Sequence, residues 1–131
     1  MSHVYVRFVI EEIDENSGVN RGIFQAMFRL WRTGALAPHE EVWWAEIRAW
    51  LNSEFAEPDR LARSRRSGAN ACAISWFKAS ANSHIARARE VAALLNAHNI
   101  ATRMISSDRP GCVVYEDDFQ VAAEPFRSEL R

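Results

Sequence analysis

The first stretch of the chain alternates between apolar and polar positions. Over residues 3–11, every second side chain is apolar: Val4, Val6, Phe8 and Ile10. A period of two predicts a half-buried β-strand. The acidic stretch EEIDENSG follows, and its breakers at residues 16–18 predict a loop. Its carboxylates lack the ordered spacing of a calcium loop, so a solvated loop is favoured over a metal site.

The pattern then changes to a helical period. Apolar residues recur at helical spacing over residues 20–33 and again over 38–55, which predicts two helices. Asn20 suits the start of the first helix and Gly34 its left-handed end. Pro38 suits the first turn of the second. Only a short connection, residues 35–37, separates the two helices, so we expect them to pack antiparallel.

Four of the five tryptophans lie between Trp31 and Trp50. Trp43 and Trp44 differ by about 100° around the helix axis, so they cannot both face the centre of one small core. An aromatic core between the two helices is the favoured interpretation. The alternative is that Trp43 and Trp50 form a surface for a partner or a second copy of the chain, because aromatic residues concentrate at interfaces.

The second half of the chain predicts one long helix and then strands. Over residues 74–98, apolar and small residues recur at helical spacing, which predicts a helix. A helix start near Ser75 is the alternative boundary. Strands are predicted over 99–108, 112–116 and 119–124, with DRPG as a turn and Asp117-Asp118 as a hairpin tip. We therefore predict one α+β domain over residues 1–131, with a frayed tail at 127–131. Its mostly antiparallel sheet has about four strands, one N-terminal and three C-terminal, with three helices packed on one face.

Charge is distributed unevenly along this near-neutral chain. Residues 60–89 carry +7 and no acid, between flanks of −5 and −3. Most of that charge falls in a predicted connection over residues 60–70, just before a helix. Arginine, the N-terminus of a helix and an aromatic side chain together favour phosphate or nucleic acid. The candidate residues for anion binding are Arg60, Arg63, Arg65, Arg66, Trp76 and Lys78. Against this interpretation, the isoelectric point of 6.4 is low for a nucleic-acid module.

Composition limits the class of protein and its compartment. Fifteen arginines against one lysine are typical of a GC-rich bacterial genome. No run approaches the roughly 20 apolar residues of a membrane span, and the first residues lack a signal-peptide pattern. Cys72 and Cys112 make no disulfide framework and are expected to be buried thiols in a reducing cytosol. We expect a cytoplasmic protein with no membrane partner.

Motifs for catalysis are absent from the sequence. It contains no nucleophile elbow, phosphate-binding glycine loop, dinucleotide fingerprint or zinc-protease motif. His84, Cys72 and Asp117 could act together only if a cleft brought them to one place. We therefore predict no catalytic residue, metal or cofactor.

A non-enzymatic binding or regulatory module is the favoured function, acting through the arginine-rich connection or the Trp43–Trp50 edge. Its partner would be another protein or a second copy of the chain in a homodimer. The alternative is binding of nucleic acid or a phosphate ligand through residues 60–78. A small enzyme is the third hypothesis.

Overall fold

The computed structural model describes residues 4–15, 18–54 and 74–126. The elements in chain order are β1 (Tyr5–Ile13), β2 (Asn20–Gly22), α1 (Ile23–Arg32), α2 (Pro38–Glu54), β3 (Ile74–Lys78), α3 (Asn82–Ala97), β4 (Thr102–Ser107), β5 (Cys112–Glu116) and β6 (Gln120–Glu124). The α+β prediction is confirmed, with three helices in the described chain. The predicted number of strands was too low, because the described sheet has six.

β1 is the strand around which the sheet is built. Along one edge it pairs with β4, from Tyr5 opposite Ser107 to Ile10 opposite Thr102. Its other edge is shared by β3, at Tyr5 and Val6, and by β2, at Val9 and Ile13. β3 then pairs with β6, and β6 with β5, all antiparallel. β4 and β5 are consecutive in the chain, yet they lie at opposite edges of the sheet.

The helices cover one face of the sheet. Phe8, Ile10 and Phe77 share that face and join the main core with buried residues of all three helices, among them Met27, Trp44, Ile47, Val91 and Leu95. The opposite face carries a smaller cluster of Ile74, Trp76 and Val121. β1 is buried on both faces from Val6 to Ile10, so the prediction of a half-buried strand was wrong there.

The start of the third predicted helix was also wrong. Residues 74–78 form β3, a turn follows, and α3 begins at Asn82. Ile74, Phe77 and Ala81 match helical spacing by coincidence. Ile74 and Trp76 instead point to one side of a strand and Phe77 to the other. Apolar residues on both sides fit a strand that lies in the middle of a sheet.

Three further local predictions can be compared with the structure, and one of them was wrong. Asn20 does not cap α1, because it belongs to β2, where its side-chain amide donates to the Ile10 carbonyl at 2.9 Å. Gly34 does end the helix region in the left-handed conformation, with φ of +77°. The hairpin of β5 and β6 around Asp117 and Asp118 is confirmed.

Several predictions fall on other parts of the chain. The connection at residues 60–70, Cys72 and the tail at 127–131 lie outside the described residues. Cys112 is described, and it is an exposed free thiol rather than a buried one. No described helix is long and apolar enough to cross a membrane.

Candidate ligand-binding cavity

A cavity of about 410 Å³ opens where the end of α2 meets the start of α3. Trp50 and Glu54 line it from α2, residues 80–84 line it from the β3–α3 connection and the first turn of α3, and Phe119 lines it from the β5–β6 turn. Its wall therefore comes from three segments that are far apart in the sequence.

Strand pairing brings these segments together. Phe77 of β3 lies opposite Gln120 of β6. The pairing continues past the strand end, where the Lys78 amide donates to the Phe119 carbonyl at 2.7 Å. The β5–β6 turn is thereby fixed beside the β3–α3 connection, and Phe119 reaches the first turn of α3.

His84 lies at the centre of an aromatic cluster on the cavity wall. Its ring stacks on Phe119 with centroids 4.3 Å apart and planes 24° apart. The Trp50 ring lies 4.9 Å away and the Phe77 ring 6.2 Å away. His84 is only 3% exposed, whereas Phe119 is 37% exposed. The cluster thus has a buried interior and a surface that is open to the cavity.

The charge state of His84 is set by its burial. Burial lowers the pKa of the imidazole, while the negative charges of Glu54 and Asp117 act in the opposite direction. The net effect is a pKa below the ordinary 6.5, because removal from water disfavours the charged form. His84 is therefore neutral at neutral pH and can offer the cavity an uncharged ring.

Asp117 fixes the turn that carries Phe119. Its Oδ1 accepts hydrogen bonds from the backbone N–H groups of Phe119 at 2.8 Å and Gln120 at 3.0 Å. Its Oδ2 accepts from the Tyr115 hydroxyl at 2.9 Å. Burial alone would raise the pKa of Asp117, but these hydrogen bonds favour the carboxylate and bring the pKa below its ordinary value. Asp117 is therefore a negatively charged anchor for the turn.

The polar side of the cavity is the start of α3. The residue before the helix is Ala81, no side chain caps the helix, and its first turn contains no acid. Exposed Ser80, Asn82 and Ser83 add hydroxyl and amide groups at the same place. The cavity thus combines aromatic rings on one side with hydrogen-bonding groups on the other.

Trp43 and Trp50, which were predicted to form a partner surface, lie two turns apart on the same side of α2. Trp50 lines the cavity. Trp43 lies elsewhere on α2, and its Nε1 donates to Glu90 Oε1 at 3.3 Å. Both are half-buried, so neither is a freely exposed ring.

Two of the six predicted anion-binding residues, Trp76 and Lys78, belong to the part of the chain that the structure describes. Arg60, Arg63, Arg65 and Arg66 lie outside the described residues. Trp76 is 8% exposed on the sheet face opposite the helices, and its Nε1 has no hydrogen-bond partner in the described chain. Lys78 Nζ lies 2.7 Å from Glu116 Oε2. Neither Trp76 nor Lys78 lines the cavity.

The acidic stretch that was predicted as a solvated loop begins inside β1, and its first two acids are paired with arginines. Arg29 contacts both Glu12 oxygens, at 2.7 and 2.6 Å, and Arg21 contacts the first at 3.1 Å. Chiefly through the hydrogen bonds from Arg29, the pKa of Glu12 falls to about 2. Arg103 Nε lies 3.0 Å from Glu11 Oε1. No group of metal-ligating side chains occurs in residues 4–15, 18–54 or 74–126.

Of the residues that line the cavity, only His84 and, as part of a partner surface, Trp50 were singled out from the sequence. The predicted helix over 74–98 placed Ser80, Asn82 and Ser83 in its interior, where they had no special role. One signal could have found them, because Ser and Asn are preferred where helices begin. No pattern in the sequence around Glu54 or Phe119 indicates that these residues line a cavity.

Comparisons with protein-family models, curated proteins and solved structures find no match for this chain. The cavity is therefore assigned from its own residues and geometry.

Proposed function

We propose that this chain is a non-enzymatic binding module that holds a small planar molecule in the cavity beside His84. The observation that carries the proposal is the aromatic cluster on the cavity wall, in which Phe119 and Trp50 contact the buried His84 ring. Flat aromatic surfaces next to a few polar groups are the usual composition of a small-molecule site.

The size of the cavity supports the same function. Its volume of about 410 Å³ lies in the range of roughly 300–1,000 Å³ that is common for ligand pockets. Ser80, Asn82 and Ser83 could orient a ligand through hydrogen bonds, while Trp50 and Phe119 would cover its ring.

Asp117 supports binding rather than catalysis. Its two oxygens already accept hydrogen bonds from Phe119, Gln120 and Tyr115, so this carboxylate serves the turn. A site for binding needs rigid walls, and this turn supplies one of them.

The test uses benzamide, an uncharged planar probe, and the indole N–H signals of the protein in two-dimensional NMR. We expect benzamide to shift the Trp50 signal with a dissociation constant on the order of 1 mM, as for a small fragment. Trp50→Leu should weaken binding at least tenfold, because it removes one wall. Since this variant lacks the reporter indole, its binding and that of Trp43→Leu are compared through the NMR signals of benzamide itself.

Trp43→Leu is the matched control, because Trp43 is a half-buried tryptophan of the same helix that does not line the cavity. This variant should bind benzamide as the unaltered protein does. Phe119→Ala tests the opposite wall without changing a helix. The proposal fails if benzamide shifts no indole signal, or if Trp43→Leu weakens binding as much as Trp50→Leu.

A further inference from the structure

The cavity wall has a charge as well as a shape. Glu54 is the one charged residue among the described residues that line it. Asp117 stands behind Phe119, in the turn that Phe119 belongs to. Both carboxylates act on His84 in the direction that favours positive charge. The described residues therefore give the cavity a negative potential at the ring cluster.

His84 does not supply the positive charge that this potential favours. Its ring is buried among Phe77, Phe119 and Trp50, where an imidazolium would lose its hydration. The Arg87 guanidinium lies over the Trp50 ring, 5.7 Å from its centroid, and its charge is already paired with Glu90 at 3.3 Å. Neither side chain neutralises Glu54, which forms no ion pair with another described residue.

We infer that the ligand of this cavity is a small organic cation with a planar group, such as an amidinium, a guanidinium or a protonated aromatic amine. This inference rests on the proposed function and specifies its ligand. The faces of Trp50 and Phe119 attract a cation through their ring electrons, and Glu54 supplies the opposite charge at the cavity mouth. The serine and asparagine oxygens at residues 80–83 accept hydrogen bonds from the N–H groups of such a ligand.

The partial positive charge at the start of α3 opposes the binding of a cation. Its size must therefore be compared with the charge of Glu54 and the attraction of the rings. A helix N-terminus is equivalent to about half a positive charge, and its effect fades within one turn. Glu54 carries a full negative charge at the same cavity. The rings add an attraction of their own for a cation and none for an anion. The sum of these effects favours a cation.

The experiment compares three probes that share one ring and differ in charge: benzamidine at +1, benzamide at zero and benzoate at −1. We expect the dissociation constants to rise in that order, with benzamidine bound about five- to tenfold more tightly than benzamide. Binding is followed by the Trp50 indole signal at pH 7.5 and low ionic strength, and 0.5 M NaCl should remove most of the difference.

Glu54→Gln should weaken the binding of benzamidine about two- to fivefold and leave the binding of benzamide unchanged, because the substitution removes the charge of the side chain but keeps its shape. Glu46→Gln is the matched control, because Glu46 is exposed on the same helix and does not line the cavity. Tighter binding of benzoate than of benzamidine, or equal benzamidine binding by both variants, would overturn the inference. Either result leaves the cavity itself intact if benzamide still binds, whereas binding of none of the probes defeats the proposed function.

Discussion

Two groups of carboxylates on this molecule have opposite surroundings. At the end of β1, Glu11 and Glu12 are matched by arginines at 2.6 to 3.1 Å. Beside the cavity, Glu54 has no such partner in the described chain, and Asp117 accepts hydrogen bonds from uncharged groups. The first group uses its charge to hold strands and a helix together. In the second group, Asp117 uses its charge to hold the turn, and Glu54 is the carboxylate that lines the cavity. That difference separates structural carboxylates from the one that belongs to the candidate site.

The largest expected loss of stability comes from replacing Arg7, a buried residue of β1. This side chain is 8% exposed, and its Nη1 donates to the Asn20 carbonyl at 2.7 Å. Burial lowers its pKa to about 10, although the charge of Asp14 acts in the other direction. Arg7→Ala should reduce the free energy of unfolding by about 3–5 kcal/mol, because it removes the packing of a buried side chain and leaves the Asn20 carbonyl without its donor.

Arg103→Ala is the control for Arg7→Ala, because Arg103 lies on the neighbouring strand and makes an exposed pair with Glu11. It should cost less than about 1 kcal/mol. Urea denaturation of both variants measures the two effects. Equal losses would mean that burial does not distinguish the two arginines.

On the cavity side, His84→Ala should reduce the free energy of unfolding by about 2–4 kcal/mol. The substitution removes a buried ring that contacts Phe119 and Trp50. His84→Phe keeps a ring there and should recover most of the loss. An unchanged urea midpoint for His84→Ala would show that the aromatic cluster does not support the fold.

The two regions should also lose stability in different pH ranges. The pKa of His84 is lowered, so the unfolded chain takes up its proton first, and stability falls as the pH drops below about 6.5. The pKa of Glu12 is lowered from 4.5 to about 2, so its contribution is complete above pH 4.5 and is lost as the pH falls towards 2. Urea midpoints measured from pH 7.5 to 2.5 should show both steps. His84→Phe should remove the upper step and Glu12→Gln the lower one.

The smallest effect is expected at Glu54. Glu54→Gln should change the free energy of unfolding by no more than about 0.5 kcal/mol, as for an ordinary surface substitution. Glu12→Gln should lower the melting temperature, because Glu12 accepts hydrogen bonds from Arg21 and Arg29. Calorimetry of the two variants side by side tests the comparison directly, and a larger loss for Glu54→Gln would reverse it.

The elements that could be predicted from the sequence are those with one clear period. The start of β1, α2 and the β5–β6 hairpin were all found in this way. β3 was missed because Ile74, Trp76 and Phe77 are buried on both sides of the sheet, which removes the alternation that identifies a strand. β2 was missed because Asn20 also fits a helix start, whereas its pairing with Ile13 and its bond to the Ile10 carbonyl place it in a strand.

The cavity was harder to predict because its walls meet only through the pairing of β3 with β6. That pairing joins Phe77 to Gln120, 43 residues later in the chain. Trp50 was singled out as part of a partner surface with Trp43. The two residues lie on the same side of α2 but two turns apart, so only Trp50 reaches the cavity. For His84 the sequence left a packed position and a surface-exposed position open, and the structure buries it.

The position of β1 has a consequence for how the chain folds. This strand is synthesised long before β3 and β4, its partners at residues 74–78 and 102–107. Until they emerge, β1 can pair only with the three residues of β2. Because such distant contacts slow folding, we expect the chain to fold only after most of it has left the ribosome. Chains that end before β4 should aggregate through the uncovered edge of β1, and light scattering of truncated products would measure this.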